Sequence, residues 1–414
     1  MGKLRYLFTT FVVLHSLRFF NSSFYISLLG PYNLVILDIL LGILFTFYYL
    51  SSLGLHSANL IKKTTDCLYF LFLLSIVTGI VIGNQSMFYS FYGAASWGYL
   101  NLGLFYYLLK QRVSFDFIHR LILFLIASYV CVMILSYLLY PTILFGYNAL
   151  KDNMDQVMQG SMQDRGVLRL MIPGDILAAL GIFYVIERRN SIKWPMCYIA
   201  LLYAVVLMTG SRGPMIWTLV GSVLVYFSTS SRGIVSIVRL SALGLVLSLI
   251  LYLIPFTNNI IVRTLNFSQT QYETHGTEID RFLALHYFLF DFNQGQVLPT
   301  VFGNGVAKRG GFADRLTALH DIGFWETDTE YSQTFLFFGC IGICVFLYWT
   351  YVLISHHQRT YYVRYFFIYM LLCMTLGRAF QPNIAIIVLI LYQSYLLSQD
   401  NSSLKNRHPK RLWQ

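Results

Sequence analysis

Arg212 stands in Leu207-Met208-Thr209-Gly210-Ser211-Arg212-Gly213-Pro214-Met215-Ile216, a turn between two apolar runs with almost no length to reach bulk water. A charge held at membrane depth is costly, so it is a functional candidate by default. Arg165 and Arg169 are four apart and share one helix face leading into the next apolar run. Arg281 precedes an aromatic-rich stretch, Phe282–Phe292, that reads as a helix lying along a membrane interface. A guanidinium is a planar fork of donors that fits phosphate or carboxylate, so the chemistry indicated is oxyanion binding. Snorkelling of each arginine to lipid phosphate is the competing explanation.

The elements that must position these residues are membrane helices. Of the 414 residues, 57% are hydrophobic and 11% charged, with a mean hydropathy of +0.61. Soluble domains carry about a quarter of their residues charged. Runs of about 20 apolar residues recur from end to end, and the fold class expected is an all-α polytopic membrane protein with about twelve transmembrane helices. They are placed near Leu4–Phe20, Pro31–Leu50, Asp66–Gly83, Phe88–Leu109, Arg120–Tyr140, Val167–Ile186, Pro195–Thr209, Pro214–Thr229, Ser236–Ile254, Tyr331–Ile354, Tyr361–Gly377 and Asn383–Leu397. The first is a retained signal-anchor helix, since it lacks a small-x-small cleavage site. Residues 1–256 hold the first nine spans and short loops, 257–328 one large external loop, 329–398 the last three spans, and 399–414 a basic tail.

Charge sets the orientation. Alternate loops and both termini carry 18 of the 29 lysines and arginines. The opposite side carries 11, five of them in the long loop, which the positive-inside rule weights little. Both termini are therefore expected in the cytoplasm. The formal net charge of +11 is accounted for by these topology determinants beside anionic lipid, with no nucleic-acid partner. The external cations are nine Arg to two Lys. Thirteen of the 18 acidic residues are also external or at external helix ends, among them Asp175, Asp314, Asp328 and Glu330. Such a face has the means to bind an anionic headgroup and supply a base, and a hydrated loop explains many of the same charges.

Other motifs are bland. Gly303-Asn304-Gly305 reads as a turn, because no strand and helix follow it. The six cysteines fall inside apolar runs and read as small buried hydrophobes. The external loops carry no HExxH, CxxC or Walker pattern, and neither a metal nor a cofactor is expected.

The order of these features resembles the O-antigen polymerase and O-antigen ligase family of bacterial envelope glycosyltransferases. Three pieces carry the resemblance: Thr209-Gly210-Ser211-Arg212-Gly213 between two short spans; Arg281 followed by Phe302-Gly303-Asn304-Gly305 in the large loop; and Asp328-Thr329-Glu330-Tyr331 opening the next helix, with Gly339 and Gly342 inside it. The resemblance covers roughly Arg165 to Gly342. It implies a GT-C-like helical bundle with a large periplasmic loop in the bacterial inner membrane, and an undecaprenyl pyrophosphate-linked oligosaccharide as donor. Membrane lipids, a chain-length regulator and a flippase are the partners it implies. Arg212 and Arg281, then Arg165 and Arg169, would hold the pyrophosphate while an acceptor hydroxyl attacks the anomeric carbon. The family's ligases carry a His just before the post-loop helix. Asp328 stands there in this chain, which favours a polymerase over a ligase, with Asp328 or Glu330 as base and His320 as a looser candidate. A helix N-cap is the other role open to Asp328. A transporter is the reading from a different class, with Asp38 inside a span and Pro173-Gly174-Asp175 as its hints.

Overall fold

The computed structural model describes residues 2–53, 59–140, 142, 144–146, 170, 172–209, 211–230, 283–320, 329–356, 360–375 and 383–407. All regular structure among them is helical. Among the described residues, four helices are long and apolar enough to cross a membrane: Ser23–Ser52, Leu60–Val81, Phe115–Leu138 and Glu330–His356. Shorter apolar helices join them, and the architecture is that of a helical membrane protein. Large apolar side chains line the outside, with Leu4, Tyr32, Val81 and Leu138 each more than 70% exposed. The span expected at Ser236–Ile254 lies outside the described residues.

In chain order, α1 is Gly2–Ser16, α2 Ser23–Ser52, α3 Leu60–Val81, α4 Met87–Ser96, α5 Leu104–Gln111 and α6 Phe115–Leu138. Then come α7 Ile176–Glu187, α8 Pro195–Met208 and α9 Arg212–Thr229. After these, α10 is Val297–Phe302, α11 Phe312–His320, α12 Glu330–His356, α13 Tyr361–Cys373 and α14 Ile384–Arg407. Two helices are sequestered. Residues Ile176–Ile182 of α7 and Ile384–Tyr392 of α14 are almost wholly buried, as helices apolar on every side must be. Around α7 pack α8, α9 and α13, while α3 packs on α12 and α4.

Several expectations are corrected. The segment Phe88–Leu109 is not one span: α4 ends at Ser96, the chain turns at Gly98 (φ 80°), and a 3-10 turn over Tyr99–Gly103 leads into α5. Its cause is tertiary. Tyr99 and Leu100 turn into the core instead of following the ladder. The helix expected from Val167 starts at Ile176, after Gly174 (φ 99°), and α14 continues through Arg407 into the stretch expected to be a tail. Only Cys373 is buried; the other five cysteines face outward from the bundle. The described part of the expected external loop, residues 283–320, remains compatible with that assignment and packs on the helices, with Phe288 and Phe292 at 1% and 2% exposure.

The Arg212 turn is a hairpin, as its Gly and Pro predict. Tyr203 Oη donates to Ser222 Oγ at 2.7 Å, whereas one continuous helix would hold those residues about 28 Å apart.

Candidate functional site

The segment after α10 locks α12 in place. Helix α12 breaks at Gly339 (φ 67°, ψ −167°), which strips the preceding carbonyls of their helical donors. The Gly303-Asn304-Gly305 turn replaces them: Asn304 N donates to Leu336 O at 2.8 Å and Gly305 N to Phe337 O at 3.1 Å. Asn304 Nδ2 adds bonds to Asn293 Oδ1 at 3.1 Å and Leu336 O at 3.2 Å. On its other side the turn lies on α3, where Gly305 approaches Gly79. Two segments singled out in the sequence, Gly303–Gly305 and Gly339, are therefore in contact, and together they fix the first two turns of α12.

Those turns carry Glu330. Thr329 caps them, since Ser332 N donates to Thr329 Oγ1 at 3.3 Å; the N-cap is Thr329, one residue after the position considered for Asp328. Glu330 is 2% exposed, and its N–H donates to Met374 O at 3.0 Å, tying the start of α12 to the end of α13. One turn further, Gln333 is fully buried, and among the described residues neither its Nε2 nor its Oε1 has a hydrogen-bond partner. Across from these, Asn383 Nδ2 donates to Asp175 Oδ1 at 3.1 Å, and Asn383 Oδ1 accepts from Gly174 N at 3.1 Å. Cys373 lies within electrostatic reach of both Asp175 and Glu330.

The same end of the bundle holds the Arg212 turn. Helices α7 and α8 are antiparallel neighbours, and Leu170 N donates to Met208 O at 3.4 Å beside the start of α7. At the opposite end, Glu187 Oε2 accepts from Tyr362 N at 2.5 Å, so the end of α7 meets the start of α13. It follows that α7, α9, α12 and α14 all begin at one end, with Asp175, Arg212, Glu330 and Asn383 at their first turns. Each N-terminus carries partial positive charge. Helix N-termini favour an anion, and Asp175, which accepts from Ile176 N at 3.0 Å, and Glu330 already supply a carboxyl at two of the four.

Of the residues the sequence nominated, Arg165, Arg169, Arg281 and Asp328 lie outside the described residues. Arg212 opens α9, Glu330 opens α12, and His320 closes α11. Gln333 and Asn383 were not nominated. Gln333 is signalled in the sequence only as an amide inside an apolar run, three residues after an acid.

A buried amide left without a partner forfeits roughly 1–3 kcal/mol, and among the described residues none offsets that cost at Gln333. Gln333→Leu is expected to keep the unfolding midpoint in detergent or raise it. A fall of more than a few degrees in differential scanning fluorimetry would show that the amide already has a structural role.

A second polar cluster sits at the start of the chain. Residues Arg18–Asn21 form a turn with φ of 49–63° throughout, left-handed at four non-glycine positions. It brings the Arg18 guanidinium onto Asp38 of α2, Nη2 to Oδ2. His15 completes the group, Nε2 lying 3.1 Å from Asp38 Oδ1 and Nδ1 2.6 Å from Tyr25 Oη. Nε2 also lies 3.2 Å from Arg18 Nη1, so its tautomer decides whether it donates to the acid or accepts from the guanidinium. Asp38 is eight residues past Gly30, where α2 breaks (φ 72°), roughly 10 Å into the helix that follows.

The comparisons with known proteins fall silent beside this geometry: no protein family matches the chain, and no curated protein or solved structure is similar to it.

Proposed function

We propose that this chain is a metal-independent membrane glycosyltransferase of the polymerase kind, in the bacterial inner membrane with both termini cytoplasmic. It transfers a growing glycan from undecaprenyl pyrophosphate to a new lipid-linked repeat unit. The observation that supports this best is the polar end of the bundle, where four helix N-termini, Arg212, the buried acid Glu330 and Gln333, without a partner among the described residues, lie within an apolar helical frame.

The chemistry follows from the residue types. Arg212, with Arg281, Arg165 and Arg169, grips the pyrophosphate, and the helix N-termini add to its stabilisation as negative charge develops. Glu330, or Asp328 beside it, takes the proton from an acceptor hydroxyl. The hydroxyl oxygen bonds to the anomeric carbon as the bond from that carbon to the pyrophosphate oxygen breaks, and the lipid pyrophosphate leaves with the electron pair. Gln333 offers one donor pair and one acceptor, the complement of a sugar hydroxyl.

The test is the surface glycan ladder of a deletion strain complemented with variants. Deletion is expected to leave core plus one repeat unit; a full-length ladder would sink the proposal. Arg212→Ala is expected to reproduce the deletion at normal protein level, and Arg212→Lys to restore little, since a point charge lacks the fork. Gln333→Leu is expected to shorten the ladder without loss of protein. Uncapped core with accumulating lipid-linked glycan would instead mark a ligase.

One observation favours a transporter as second reading: the Arg18–Asp38 ion pair with His15 beside it, and helix breaks at Gly30 and Gly339. The same deletion strain separates the two, because loss of a flippase leaves lipid-linked repeat units on the cytoplasmic leaflet and none on the core.

A further inference from the structure

The loop between α10 and α11 carries Lys308 and Arg309, and both stand on tyrosines of α4. Lys308 Nζ lies 4.7 Å from the centre of the Tyr92 ring. Arg309 Nη1 donates to Tyr89 Oη at 3.2 Å, its guanidinium carbon 5.7 Å from that ring's centre. Tyr89 and Tyr92 are three apart and share a helix face, so the two cations are held side by side. The backbone behind them is pinned: Lys308 N donates to Gln85 Oε1 at 3.1 Å, and Ala307 O accepts from Trp97 Nε1 at 3.2 Å.

Lys308 stands beside the Arg18 cluster, because α2, which carries Asp38, packs on α4, where a Cβ on Gly42 would lie 3.6 Å from Phe91 Cζ. Lys308 is exposed as a residue, yet its ammonium is partly desolvated, which lowers its pKa. Asp38 opposes that shift and Arg18 adds to it, which places both within electrostatic reach. The Arg18 side chain keeps 24% of its surface exposed, and its contacts to Asp38 and His15 leave three of its five N–H donors over. Arg18, Lys308 and Arg309 are thus three cations against one carboxylate, Asp38. Asp314, in the first turn of α11, accepts from Gly310 N at 3.2 Å.

We propose that Arg18, Lys308 and Arg309 form a phosphate-binding site for the headgroup of an anionic lipid, at the end of the bundle where α1 gives way to α2. Lipid phosphate is favoured over free phosphate because the flanking elements present apolar side chains outward. Phe24 and Leu28 at the start of α2 are 72% and 66% exposed, and Met87 and Phe88 at the start of α4 are 75% and 57% exposed. Acyl chains have a surface to lie on beside the cations. The site goes beyond the transferase reading and uses neither Arg212 nor Glu330.

The test uses the full chain in detergent, with phosphatidic acid and phosphatidylcholine of matched acyl chains titrated by native mass spectrometry. Phosphatidic acid is expected to bind and phosphatidylcholine to bind far more weakly. The double substitution Lys308→Gln/Arg309→Gln, on an exposed loop and so compatible with folding, is expected to weaken phosphatidic acid binding about tenfold or more. Lys110→Gln is the matched control, since Lys110 lies 5.5 Å from the Tyr48 ring centre yet belongs to no such cluster; it is expected to change nothing. Three results would overturn the site: unchanged binding in the double variant, an equal loss in Lys110→Gln, or inorganic phosphate competing at the concentration of the lipid.

Discussion

Gly305→Ala and Gly303→Ala are each expected to cost about 2–5 kcal/mol of stability, enough to leave little folded protein in the membrane. Both glycines have φ of +79°. An L-residue at positive φ costs roughly 1–3 kcal/mol, the more so at Gly303, whose ψ of 175° lies where essentially only glycine goes. The remainder comes from packing. A Cβ on Gly303 would stand 2.3 Å from Phe337 O, and one on Gly305 would stand 2.3 Å from Gly79 Cα. These obstacles are backbone, so no side-chain rotation relieves them. Gly310 separates the two effects. Its φ is +80°, but a Cβ there meets nothing within 4 Å, so Gly310→Ala should show the conformational cost alone. The measurement is the midpoint of thermal unfolding in detergent by fluorescence-detected size exclusion. Equal midpoints for Gly305→Ala and Gly310→Ala would mean that the turn does not bind α12 as tightly as described.

In that turn the local signal is in the sequence and the partner is not. Gly303-Asn304-Gly305 reads as a turn from composition, and the positive φ values agree. Its partner does not read at all. The turn serves the carbonyls that Gly339 frees more than 30 residues on, a long-range match that no local pattern encodes. The hairpin at Arg212 was legible because glycine and proline stop helices locally. The break inside Phe88–Leu109 was not, because its residues are apolar throughout and only packing decides where the ladder yields. The cysteines fail for a related reason. Lipid-facing and buried positions are equally apolar in a membrane protein, so hydropathy places a residue in a span without saying which way it faces. Five cysteines face outward as a result. Glu330 was nominated because it follows the long loop, and it does open α12. Gln333 was missed because lack of a partner is a property of three dimensions.

Asp38→Ala carries the other large expected effect, about 3–5 kcal/mol. The acid is 10% exposed and faces Arg18 and a His15 that is 1% exposed. Removing it leaves a guanidinium next to apolar helices with no counter-charge, and that desolvated charge costs more than the lost pair gained. Removing both charges avoids this, so Arg18→Leu/Asp38→Leu is expected to recover most of the loss. The turn Arg18–Asn21 makes the coupling stronger than the ion pair alone. Four left-handed residues in a row persist only where the surroundings hold them, and the contact with Asp38 is one polar part of that hold, beside Gly146 N, which donates to Phe20 O at 3.1 Å. With Asp38 gone, the turn is free to relax, and Phe20, 5% exposed, leaves its place beside Tyr129. A double-mutant cycle on unfolding midpoints reads this directly. If Asp38→Ala and the double variant are equally destabilised, Asp38 is not there to balance Arg18, and its place in the helix needs another cause. If only the single variant falls, the carboxylate is what keeps Arg18 folded into the bundle.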